Sequence, residues 1–139
     1  MVEVRDPEAM ELLNRLVESG HASLQDLQDA APHPKLVIPS KHPTIATPLT
    51  IELGGTIQLF WQEGYFADFI GQNLAEEAFQ FLERFFREEI RCSICRRNGK
   101  YIAGGPIEDG DDLQWVRRYD EVDIRSWKGS RDQLLSCRS

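Results

Sequence analysis

Apolar positions along this chain change period several times, and each change marks an element. Met10, Leu13, Leu16 and Val17 recur at helical spacing after Asp6 and Pro7, until Gly20 interrupts them. Asp6 suits an N-cap, Pro7 a first helical position and Gly20 a stop, so a helix is expected between them. Ser23, with Asp26 three residues on and Leu24 and Leu27 on the inward side, predicts a second short helix over residues 23–30. Prolines then crowd the chain at Pro32, Pro34, Pro39, Pro43 and Pro48. Proline removes a backbone donor and fixes φ, so this stretch is expected as extended or looped chain, with one short strand over residues 35–38. Too little sequence precedes it to make a separate domain, so 32–48 reads as a surface traverse within a single domain spanning 1–139.

From Leu49 the period becomes two. Leu49–Leu53 and Thr56–Trp61 flank Gly54-Gly55, the pattern of a hairpin with a two-residue turn. Gln62-Glu63-Gly64 makes the next turn and Tyr65–Ile70 a third strand. Asn73 is expected to cap the clearest helix of the chain, with Glu76 at the capping-box position. Its apolar residues Leu74, Ala78, Phe81, Leu82, Phe85 and Phe86 form one stripe, aromatic area that needs a sheet to cover. Cys92–Arg97 and Lys100–Ala103 flank Asn98-Gly99, the strongest short-range hairpin signal. Gly104-Gly105-Pro106 and the acidic run ending at Asp112 are expected as a solvent loop, followed by strands over 113–119 and 122–127 and a tail without strong period from Gly129. The order α-α-β-β-β-α-β-β-β-β predicts an α+β fold. The expected form is a mostly antiparallel sheet of about six to seven strands, with a long central helix and one or two N-terminal helices packed on one face.

Composition leaves the fold class alone and narrows the partners. The 139 residues are 41% hydrophobic and 28% charged, ordinary for a globular domain and too apolar for a disordered chain. Acids outnumber bases 23 to 16, for a net charge of −7. A negative surface repels phosphate backbones, so nucleic acid is not the expected partner. The acidity is uneven: residues 1–90 carry a net −9 and residues 91–139 a net +2. No run approaches about 18 consecutive apolar residues, so no membrane span is expected. The N-terminal residues lack the basic and apolar segments of an export signal, and the cysteines are odd in number, so reduced thiols in a cytoplasmic protein are the expectation.

Cys92-Ser-Ile-Cys95 is the one spacing that suggests metal or redox chemistry. Zinc sites normally add a second Cys pair or a His pair, and a redox motif wants its first Cys at a helix N-terminus. On a strand, residues three apart face opposite ways, so these are expected as ordinary strand cysteines, with an enzyme using Cys92 or Cys95 as a lesser alternative. His21, His33 and His42 lie far upstream, and neither a Gly-x-Ser-x-Gly elbow nor a phosphate-binding glycine loop occurs. No catalytic set, cofactor or metal is therefore expected. The loop Glu108-Asp109-Gly110-Asp111-Asp112 lacks the alternating ligands of an EF-hand and reads as a solvated turn or as part of a negative docking surface. Trp61, Trp115 and Trp127 are candidate interface anchors, with Trp61 assigned to the core. Trp127 shares the strand parity of Asp123 and Arg125, which places it among charges.

The stretch from Asp123 to Asp132 carries a resemblance. A closing strand ending in Arg-Ser-Trp-x-Gly-x-x-Asp, after a helix and β-hairpins, resembles the small immunity proteins of bacterial polymorphic toxin systems. The resemblance implies a cytoplasmic, non-enzymatic inhibitor that binds one cognate toxin domain and blocks its active site. An acidic surface would occupy a basic toxin cleft as a phosphate mimic. The candidate partner-binding residues are Glu108, Asp109, Asp111, Asp112, Asp120, Glu121, Asp123 and Trp127. The alternative is an acidic secretion chaperone of the small α/β type, which usually dimerises and ends in a helix where this chain is expected to end in strands.

Overall fold

The computed structural model describes residues 3–30, 32–62 and 64–136, with the backbone alone for Tyr65; Glu63 of the expected turn and Cys137 lie outside the described residues. The elements are α1 (Pro7–Glu18), β1 (Leu27–Gln28), β2 (Lys35–Ile38), β3 (Leu49–Leu53), β4 (Ile57–Trp61), β5 (Gly64–Phe69), α2 (Leu74–Phe86), β6 (Ile90–Arg97), β7 (Lys100–Glu108), β8 (Glu121–Arg125) and β9 (Gln133–Ser136). Short 3-10 turns occur at Leu24–Asp26 and Gln114–Arg118. The fold is α+β, as expected, but its strands form two antiparallel sheets in place of one. The first is a five-stranded meander, β1-β2-β3-β4-β5, and the second has four strands in the order β7-β6-β8-β9.

Alternation explains the first sheet. In β3 and β4 every second residue is buried, so Leu49, Ile51, Leu53, Ile57, Leu59 and Trp61 point to one face. That face shares a core with Leu12, Leu13 and Leu16 of α1 and with Leu82, Phe85 and Phe86 of α2. A bulge opposite Leu59/Phe60 places one extra residue on β5, so Phe66 and Ala67 are both buried although adjacent. Strand β6 differs: Cys92, Ser93, Ile94 and Cys95 are all buried, because apolar clusters cover both of its faces. Ile90, Cys92 and Ile94 join the main core, while Cys95 joins Val122 and Ile124 of β8 in a smaller cluster under Trp115 and Val116.

Several expectations are corrected. The second N-terminal helix is only a 3-10 turn. Ser23 and Asp26 do form their capping box, but Leu27 is already extended and pairs with Leu36, and Leu24 is exposed. The Gly54-Gly55 hairpin closes one residue later than expected, with Leu53 paired to Ile57 across a three-residue loop. Asn73 lies in the left-handed region (φ 59°) and makes no side-chain cap. The cap of α2 comes from α1 instead: a Glu8 carboxylate oxygen accepts the Ala75 N–H at 2.9 Å. Residues 104–106 are not loop but the continuation of β7, paired with Ile94, Ser93 and Cys92 across an edge where proline is tolerated. Residues 114–118 are a 3-10 turn, not a strand, and the tail beyond Gly129 supplies the unexpected strand β9. The Asn98-Gly99 hairpin is as expected, with both residues at positive φ (54° and 75°) between Arg97 and Lys100.

Candidate partner-binding site

The acidic loop is shaped by its own carboxylates. Gly110, at φ 88°, turns the chain after β7, and the Asp111 carboxylate accepts the Glu108 N–H at 2.8 Å. The Asp112 carboxylate then accepts the Gln114 N–H at 3.0 Å at the entry to the 3-10 turn. That turn brings Trp115 over the second face of β6 and β7. Beneath it the sheet is nearly bare, because the residues opposite Cys95 and Ser93 across the ladder are only Ala103 and Gly105. The result is a cavity of about 320 Å³ walled by Trp115, floored by Ser93, Cys95 and Gly105, and rimmed by Asp111 and Asp112. A Cβ at Gly105 would meet nothing within 4 Å, which marks the open space directly.

The eight expected contact residues do not form one patch. Asp111 and Asp112 rim the cavity. Glu108 is paired with Arg84 of α2, and Asp109 receives the Arg131 guanidinium at 2.5 and 3.3 Å. That hydrogen bond holds the Asp109 carboxyl below the usual carboxylate range. Asp120 accepts the Asn98 N–H at 2.6 Å and so braces the β6–β7 hairpin, while Glu121 lies half-buried opposite Arg96. Asp123 pairs with Ile94, so it stands on the opposite face of the sheet from the cavity. There it is chelated by Arg125 at 2.5 and 3.1 Å. The continuous acidic surface expected from the sequence is thus interleaved with arginines and divided between two faces.

Trp127 is not a surface anchor. The strand expected over 122–127 ends at Arg125, and Trp127 lies in the turn beyond it, which carries its ring into the main core beside Cys92 and Ile94 and not among the charges. Trp127 is 3% exposed and sits 5.4–5.5 Å from the rings of Trp61, Phe85 and Phe86. The motif around it is a clasp. One Asp132 oxygen accepts the Ser126 N–H at 2.9 Å; the other takes His42 Nε2 at 2.6 Å and Arg125 at 3.2 Å. His42 Nδ1 accepts the N–H groups of Thr44 and Ile45, which assigns the ring proton to Nε2. Gly129 (φ 85°) passes so close to Pro43 that a Cβ would meet its ring at 3.0 Å. From the other side, the Glu88 carboxylate accepts the N–H groups of Lys128 and Ser130 and the Ser130 hydroxyl. The clasp therefore fastens the proline-rich traverse and the end of α2 to the turn after β8.

The two described cysteines fall on opposite faces of β6, as the strand reading requires. Burial pushes the Cys92 thiol up to about 12 and raises Cys95 as well. Among the described residues no three His, Cys, Asp or Glu side chains are grouped to hold a metal, and no helix is long and apolar enough to cross a membrane. The sequence had pointed to Asp111, Asp112 and Trp115 but not to the cavity between them. Its one trace there is the small pair Ala103 and Gly105, opposite Cys95 and Ser93. No protein-family model, curated protein or solved structure matches this chain.

Proposed function

We propose that this chain is a binding protein of the immunity type, which inhibits a cognate bacterial toxin domain by receiving a lysine or arginine side chain of its basic cleft in the Trp115 cavity. The observation that carries the reading is the composition of that cavity: one aromatic wall, two carboxylates on the rim and a small-residue floor. An ammonium or guanidinium over a tryptophan face is attracted by the ring quadrupole, and more strongly once desolvated. Asp111 and Asp112 each spend one oxygen on a backbone N–H, which fixes their orientation and leaves the other oxygen to a ligand. Glu108 and Asp109, already paired with arginines, would steer the approach of a basic partner more weakly than free carboxylates. Deep burial of a protonated Cys92 weighs against a thiol enzyme. The resemblance of residues 125–132 supports the family reading through layout, while Ser126, Trp127, Gly129 and Asp132 serve the clasp rather than a contact surface.

The test is capture of the partner with tagged protein from native lysate, followed by affinity measurement on the pair. A single basic protein held near one-to-one is expected. Gly105→Val, whose Cβ enters open space within the cavity, should weaken that complex by about 10–100-fold, as should Asp111→Asn combined with Asp112→Asn. Unchanged affinity in both variants would remove the cavity from the interface. Absence of any stoichiometric partner would overturn the inhibitor reading itself.

A further inference from the structure

The face that holds the Trp115 cavity carries opposite charge at its two ends. The β6–β7 ladder runs from the Arg97–Lys100 pair at the Asn98-Gly99 turn to the Ile90–Glu108 pair at the acidic loop. Arg97 follows Ser93 and Cys95 at alternate positions of β6, so it shares the face of the cavity floor, with Lys100 directly opposite. The 3-10 turn that carries Trp115 adds Arg117 and Arg118 at this end. The Arg118 carbonyl accepts from the Arg97 guanidinium at 2.6 Å, and that guanidinium stands 5.5 Å from the Tyr119 ring. All four cations are exposed, and none forms an ion pair among the described residues. Like charges directly opposite each other cost a sheet stability, and Asp120 at this turn is held by the Asn98 N–H at 2.6 Å. At the other end Asp111 and Asp112 each give one oxygen to a backbone N–H and keep the second free. Trp115, half-buried, and the cavity lie between the two ends.

We infer that this face pairs with the same face of a second copy of the chain about a two-fold axis, each copy placing Arg117 and Arg118 at the acidic rim of the other's Trp115 cavity. A two-fold axis reverses direction along the face, so each basic end meets an acidic end and the same contact forms twice. An acidic partner would meet the arginines but set its charge against Asp111 and Asp112, and a basic partner would do the reverse; a second copy supplies both complements. The inference rests on the cation-accepting character given to the cavity above, and not on the toxin. A second copy covers the cavity in the absence of another partner, and a toxin that enters it displaces that copy.

Sedimentation equilibrium of the full chain reads the mass directly. Twice the chain mass of 16.0 kDa is expected at about 0.2 mM protein in about 0.02 M salt, falling to the single-chain mass in about 0.5 M salt. Arg117→Glu combined with Arg118→Glu, both on exposed side chains, should be monomeric at either salt, as should Asp111→Lys combined with Asp112→Lys. Mixed one-to-one, the two variants should form a dimer with each other, because both contacts then pair opposite charges again. A single-chain mass for the parent at low salt, a dimer retained by the arginine variant, or a mixture that stays monomeric while both variants keep the parent's circular dichroism would each overturn the inference. The parent and the arginine variant decide it alone if the acidic-loop variant does not fold. The toxin reading is tested separately by capture and survives a monomeric result.

Discussion

Asp132 ties three segments of the fold together through one side chain, accepting from His42, Arg125 and the Ser126 N–H. Burial disfavours its ionised form, but the Ser126 N–H, His42 and Arg125 together outweigh that and hold its carboxyl below the usual range. Glu88 is in the same position: burial raises it, and the Ser130 hydroxyl with the Lys128 and Ser130 amides lowers it further. A carboxyl depressed by folding contributes stability that is fully present above its unfolded value and is lost as pH falls through its folded value. Both groups therefore act in one acid window, below about pH 5. Asp132→Asn should cost about 2 kcal/mol at pH 7, because the buried His42 Nε2–H then faces an amide without a charge. The same variant should lose less stability than the parent between about pH 5 and pH 3. Urea denaturation across that range checks both. An equally steep acid loss in the variant would mean that Asp132 is not the group being titrated.

At the scale of elements, the cysteines give the sharpest expectation. Cys92 and Cys95 lie three residues apart on one strand, so each points into a different apolar cluster, and burial raises both thiols. In a Cys137→Ser background neither should react with a disulfide reagent at pH 8 while the protein is folded. Both should react within the mixing time once it is unfolded in denaturant, and fast reaction of one thiol in the native protein would contradict its burial. Most elements were legible because their signals are local: the Pro7 and Asp6 start of α1, the period-two run of β3 and β4, the α2 stripe and the Asn98-Gly99 turn. The misreadings share a cause, which is pairing between distant segments. Leu27 is strand because Leu36 is there to pair with it, and Gly104–Pro106 remain strand because β6 supplies the ladder. Trp115 lies on a 3-10 turn because Asp112 receives the Gln114 N–H, a choice that alternation alone cannot distinguish from a strand. The candidate cavity was illegible for the same reason. Its floor and rim come from segments that meet only when β6 and β7 pair and the following loop folds back.

For the whole molecule, the question is whether two sheets make two units. Hydrogen bonding separates them, but packing does not. One core cluster takes Leu36, Ile51 and Trp61 from the first sheet, Ile90 and Ile94 from the second, and Trp127 from the turn beyond β8. The clasp adds polar ties across the same seam, with His42 from the traverse held by Asp132 and Glu88 from the end of α2 holding Lys128 and Ser130. Neither sheet can therefore open without exposing the aromatic group around Trp61, Phe85 and Trp127. Thermal unfolding should be a single transition with equal calorimetric and van't Hoff enthalpies, monitored identically by far- and near-ultraviolet circular dichroism. Trp127→Ala should lower stability by about 3–5 kcal/mol while keeping the transition single, because the cavity it leaves lies in the core common to both sheets. A variant in which the second sheet melts first while the first sheet stays folded would show that the shared aromatic core does not couple them.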